Sequence, residues 1–115
     1  AKTGDIVKIE ASDEFVDTIV VPEGVELTID LNGYNLLAIG DNPAIQNNGT
    51  LKIINNSSTT ANVQATFTKA IQNNGTLIIG VDDENIQNNI SVIGKGKAVD
   101  GSGQVTIYDG QLIVN

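Results

Sequence analysis

Apolar and polar residues alternate along this chain in short runs. Leu51-Lys52-Ile53 and Val105-Thr106-Ile107 place two apolar side chains on one face and a polar one on the other, the period-two signature of a β-strand. Between the runs lie Asn, Gly, Asp and Ser, which tolerate left-handed backbone and bond to their own main chain. No stretch sustains a 3.6-residue period, so no helix beyond a single turn is expected.

The alternation is itself periodic. The letters AIQNNGTL occur at Ala44 and again at Ala70, 26 residues on. A third copy, AVDGSGQVTIY, starts 28 residues later at Ala98, and a looser one, VVPEGVELTID, precedes them. Gly49, Gly75 and Gly103 align, as do Leu27, Leu51, Leu77 and Val105, and then Ile29, Ile53, Ile79 and Ile107. A second marker, an Asn before an apolar residue, recurs at Asn35, Asn62 and Asn89, 27 residues apart each time. Each repeat therefore holds three segments: one at the Ala-Ile pair, one after the Gly and one after this Asn.

Three strands per repeat leave about nine residues for each strand and its corner, too few for crossover helices. The architecture that fits is all-β: a right-handed, single-stranded parallel β-helix of about four coils of 24 to 28 residues, three short strands per coil. Coils stack at about 4.8 Å, and the crossover rule sets the hand. Residues 1–115 form one domain, with 1–21 a partial first coil and 22–115 the repeats. Stacking explains why the letters recur. Identical apolar residues fill the interior in columns, and Asn above Asn forms an amide ladder. The ladder candidates are Asn47/Asn73, Asn48/Asn74 and Asn35/Asn62/Asn89.

The run VPEGVELTIDLNGYNL followed by AIQNNGTLKI resembles the right-handed β-helix repeats of large bacterial surface proteins and of some phage virion proteins. The resemblance spans Val20 to Val114. It implies the fold and two settings, a virion exterior or a cell surface. It assigns no activity, because β-helices carry lyases, hydrolases, adhesins and inert spacers alike.

Composition then removes chemistry. The chain has no Cys, His or Trp, and its six basic residues are all Lys. A formal charge of −8 argues against nucleic acid and anionic membrane surfaces as partners. No apolar run reaches the roughly 20 residues of a membrane span, and the opening AKTGDIVKIE has no apolar signal core. Sugar hydrolysis needs two facing carboxylates. The acids Asp30, Asp82, Asp83, Glu84, Asp100 and Asp109 form no evident pair, and the repeat equivalents of Asp30 are Ile54, Gly80 and Tyr108. Elimination needs a base, and the chain has no Arg and no Lys cluster beside the acids. No cofactor is expected. Asp82, Asp83 and Glu84 are the weak calcium candidates, outweighed by a solvated acidic corner.

Two features, the apolar column and the open edge, point to association instead, while the corner inserts fit a binding face or polar filler equally. The segments DLNGYN, INNSSTTAN and GVDDENIQNN lengthen one corner progressively, and inserts of repeat proteins gather on one face. The neighbours Ala44-Ile45, Ala70-Ile71 and Ala98-Val99 face opposite ways in a strand, so one apolar column is expected outside unless a corner bends there. GQLIVN puts Leu112 and Val114 on an uncapped apolar edge. These residues are the interface candidates. The expectation is a non-enzymatic structural or adhesive element on the exterior of a larger assembly such as a capsid or surface layer. A phage decoration or fibre component leads, a bacterial adhesin module is the alternative, and a polysaccharide-binding or -cleaving β-helix is a distant third. The expected partners are further copies of the chain, a trimer by preference, and a glycan as an open option.

Overall fold

The computed structural model describes residues 4–83, 85, 86 and 88–115. It contains fourteen strands in three parallel sheets. Sheet A stacks β1 (Asp5–Lys8), β4 (Glu26–Asp30), β7 (Thr50–Ile54), β10 (Thr76–Ile79) and β13 (Gln104–Ile107). Sheet B stacks β2 (Asp13–Phe15), β5 (Leu36–Ala38), β8 (Ala61–Ala65), β11 (Ile90–Gly94) and β14 (Gln111–Val114). Sheet C stacks β3 (Ile19–Val21), β6 (Ile45–Asn47), β9 (Ile71–Asn73) and β12 (Val99–Asp100). The chain visits A, B and C in turn, so the fold is a parallel β-solenoid of about four coils. Of residues 1–21, expected as a partial coil, residues 5–21 give one strand to each sheet. At the far end β13 and β14 extend sheets A and B one layer beyond β12.

The register follows the sequence columns. Leu27, Leu51, Leu77 and Val105 are successive partners, and so are Ile29, Ile53, Ile79 and Ile107. In the middle coils both columns are buried, together with Leu36, Val63 and Val92 of sheet B. Each such side chain contributes about 1.5–3 kcal/mol through burial. Lys52 and Thr106 point outward from the same strands, which is why a one-residue slip is not tolerated.

The column of glycines has a steric cause. A Cβ on Gly75 would collide with the carbonyl oxygen of Gly49 below it, and one on Gly103 with that of Gly75. None of the three has a left-handed backbone. The coils simply approach too closely at the C-to-A corner for any side chain, which fixes glycine there by contact.

The structure corrects the expected outward column. Ala44, Ile45, Ala70 and Ile71 are fully buried and Ala98 nearly so, while Val99 is half-buried. A bend at each Ala turns the chain through the B-to-C corner, so both neighbours of each pair face the interior. The ladder bonds Ile45 N–H to Ala70 O and Ile71 N–H to Ala98 O, both 3.1 Å, pass through this bend. Of the flank expected on residues 44/45, 70/71 and 98/99, only Val99 keeps part of its side chain at the surface.

Candidate functional site

The polar columns divide into structural and open groups. Asn47 and Asn73 sit inside the barrel, almost completely buried. Asn47 Nδ2 donates to Asn73 Oδ1 at 2.9 Å and to Thr76 O at 2.8 Å, and Asn73 Nδ2 donates to Gln104 O at 2.9 Å. Both amides are spent on holding the C-to-A corner. In the neighbouring column Asn74 Nδ2 donates to Asn48 Oδ1 at 3.2 Å, on the surface. The third expected ladder is not formed. Asn35 Oδ1 accepts the backbone N–H of Asn62 at 2.9 Å, and Ser91, not Asn89, is the register partner of Asn62. The long segment 80–89 shifts the chain by two positions, so equal sequence spacing there does not mean equal height.

A different relay runs up the A-to-B corner, and sequence reasoning missed it. Gly33 N–H donates to Asn55 Oδ1 at 2.8 Å, Asn55 N–H to Asn88 Oδ1 at 2.8 Å, and Asn88 N–H to Asp109 Oδ2 at 2.5 Å. One side-chain oxygen per coil thus accepts the amide of the coil below it. Asn55 Nδ2 also donates to Thr59 O and Asn89 O, both at 2.9 Å. The signal was present at two of the positions: Asn55 and Asp109 each lie two residues after the inner Ile of sheet A. Asn88 is hidden from that rule by the insert before it.

Asp30, the acid nearest the core, is structural. Its Oδ1 accepts from Asn32 N–H and from Asn56 N–H, each at 3.0 Å. Asn32 is held at φ 51° and Gly33 at φ 81° by this tight turn. Asp100 replaces the Gln72 of the coil below. The Gly101 N–H and the Lys97 ammonium, 3.3 Å away, hold its carboxyl below the usual carboxylate value. A general acid at neutral pH needs the opposite displacement. Asp82 and Asp83 are exposed, and Glu84 lies outside the described residues. Among the described residues no three side chains of metal-ligating type come together.

Two open features remain. The first is the C-terminal end of the barrel. Val105 and Ile107 on β13, and Leu112 and Val114 on β14, continue the buried inner columns, yet they are 41–58% exposed because no layer lies above them. At the opposite end Asp5 and Asp13 take the inner positions beneath Leu27 and Leu36, placing charge where the other end has only apolar groups. Inward charge at a sheet end is a device against edge-to-edge pairing. The second is a cleft of about 270 Å³ at the A-to-B corner, lined by Thr60, Asn88, Asn89, Ser91, Asp109 and Gln111 among others. It exists because the corner lengthens over three coils, from 31–35 to 55–60 to 80–89, and then shrinks to 108–110. A second hollow of about 350 Å³ lies near the other end of sheet B, beside Ser12, Asp13, Glu14, Asn35 and Leu37.

No protein-family model matches the chain, and comparisons with curated proteins and with solved structures return no match.

Proposed function

We propose that this chain is a non-enzymatic structural and adhesive element on the exterior of a larger assembly, a decoration or fibre component of a phage virion. The observation that carries this reading is the apolar C-terminal end of the barrel. Four inner-column side chains, Val105, Ile107, Leu112 and Val114, stand open beside the unpaired edges of β13 and β14. Open edges and exposed apolar patches of this kind mark contact surfaces. A further β-layer would cover it, and in this reading the assembly supplies that layer. The acidic N-terminal coil supports a closed contact over an open fibre. Head-to-tail stacking in register would set Asp5 against Val105 and Asp13 against Leu112.

The chemistry supports the same reading. Asp30, Asn47, Asn55 and Asn73 are consumed in corner bonds, and the best-placed odd acid, Asp100, is held ionised by its neighbours. A module of a bacterial cell-surface adhesin is the second reading, favoured by the same open end, which a following coil would cover. Immunogold labelling with antibody to the folded chain separates the two. Label on the outside of intact phage particles is the expected result. Label confined to the cell surface selects the second reading, and label on neither contradicts both.

A further inference from the structure

We propose that the A-to-B corner cleft between the fourth and fifth coils is a binding site for a neutral polyhydroxylated ligand, one saccharide unit in size. Two side chains in its lining are more than nine-tenths buried and yet incompletely bonded. Asn88 is 2% exposed and Ser91 is 4% exposed. Asn88 uses its Oδ1 for the Asn55 N–H, and its Nδ2 has no acceptor among the described residues. The Ser91 hydroxyl has no partner among them either. No described buried polar atom cut off from solvent is left unpaired, so both groups reach the open volume of the cleft.

The coil below shows what is missing. Asn55, the preceding member of the same relay, gives its Nδ2 to Thr59 O and Asn89 O, which belong to the long corners around it. Above Asn88 the corner has shrunk to Tyr108-Asp109-Gly110, and no carbonyl of the described residues replaces them. A hydrogen-bonding position that the fold fills in one coil is left vacant in the next.

The vacancy has a defined chemistry. Asn88 Nδ2 offers a donor, Ser91 a donor and an acceptor, and Asp109 an acceptor on the oxygen not used by Asn88 N–H. Thr60 and Gln111 add a hydroxyl and a carboxamide at the rim. Asp109 is the charged group in the lining and no Lys joins it, which disfavours anions. The lining is mostly polar, with Ile90 its one large apolar side chain among the described residues, which favours a polar ligand. A sugar hydroxyl both donates and accepts, so adjacent hydroxyls satisfy Asp109 and Asn88 together. At about 270 Å³ the cleft falls just below the range of drug-sized sites and suits a single ring. The site lies beside the C-terminal end of the barrel, sharing β14 with the apolar columns there.

The test is an amide-resolved NMR titration of the intact chain with glucose, galactose, rhamnose and N-acetylglucosamine, and with inorganic phosphate as the anionic control. At least one sugar should shift the amides of Asn88, Asn89, Ser91 and Gly110 saturably, in the millimolar range typical of one ring, and phosphate should not. Ser91→Ala should weaken that binding about tenfold. Gln111→Ala, on an exposed side chain, should weaken it without altering the melt, which covers the case in which Ser91→Ala unfolds the corner. No saturable shift from any sugar, shifts scattered away from these amides, or undiminished binding by both variants would each overturn the proposal and leave the cleft to water.

Discussion

Replacing Asn73 with Asp tests the interior amide ladder by changing one atom. In the wild-type chain Asn73 is 1% exposed. Its Oδ1 accepts from Asn47 Nδ2, and its Nδ2 donates to Gln104 O, both at 2.9 Å. In Asn73→Asp the first bond survives, but the second sets two oxygens against each other. A protonated carboxyl restores the bond by donating to Gln104 O. An ionised one faces a carbonyl in a buried corner, so the folded state raises its pKa. Below the unfolded value of about 3.9 both states are protonated, and the variant should be nearly as stable as the parent. As pH rises from there, its stability relative to the parent falls by about 1.4 kcal/mol per pH unit until the folded pKa is passed. A rise of about three units, ordinary for a fully buried carboxyl, costs about 4 kcal/mol at neutral pH. At about 4 °C per kcal/mol for a chain of this size, the melting temperature falls by about 15 °C. The assay is circular dichroism melting of parent and variant across the acid range. Asn74→Asp, one column over and exposed, is the control and should shift by less than about 1 kcal/mol at any pH. Equal shifts for the two variants, or a loss in Asn73→Asp that does not depend on pH, would refute the ladder.

Ile79→Asp should cost several kcal/mol by burying a carboxylate between Ile53 and Ile107, whereas Thr106→Asp on the outer face should cost far less; equal melting shifts would put the register off by one. Gly75→Ala should destabilise strongly because its Cβ meets the Gly49 carbonyl, while Gly40→Ala, with its nearest neighbour 3.5 Å away on the Val16 side chain, should be neutral or gain up to about 1 kcal/mol; thermal melts compare them. Incubation of the chain with purified polysaccharides should release no reducing or unsaturated ends, and depolymerisation lost in Asp100→Asn would contradict the non-enzymatic reading.

The interior was legible in the sequence because stacking writes it there. Leu51 has Leu27 and Leu77 as its neighbours below and above, so the same letter recurs through the middle coils. The glycine column was visible for the same reason. What was not legible were the corners. Ala44 and Ile45 read as a strand pair with one face out, but a bend between sheets buries both. Corners break the period-two rule at the one residue where the direction changes. The Asn89 ladder failed because an insert moves height without changing spacing. The relay through Asn55, Asn88 and Asp109 joins a backbone amide to a side chain one coil away, so it needs a suitable oxygen and not an identical letter. The cleft was hidden further still, since it depends on one corner being shorter than those beneath it.

Sedimentation of the isolated chain over a wide concentration range tests the central claim most directly. The exposed columns Val105, Ile107, Leu112 and Val114 should drive reversible, closed association at high concentration. Leu112→Lys together with Val114→Lys should abolish it and leave the melt of the inner coils unchanged, while Ile6→Lys at the opposite end should not. A parent chain that stays strictly monomeric at high concentration, and neither binds nor requires a covering layer in its native particle, would contradict the account.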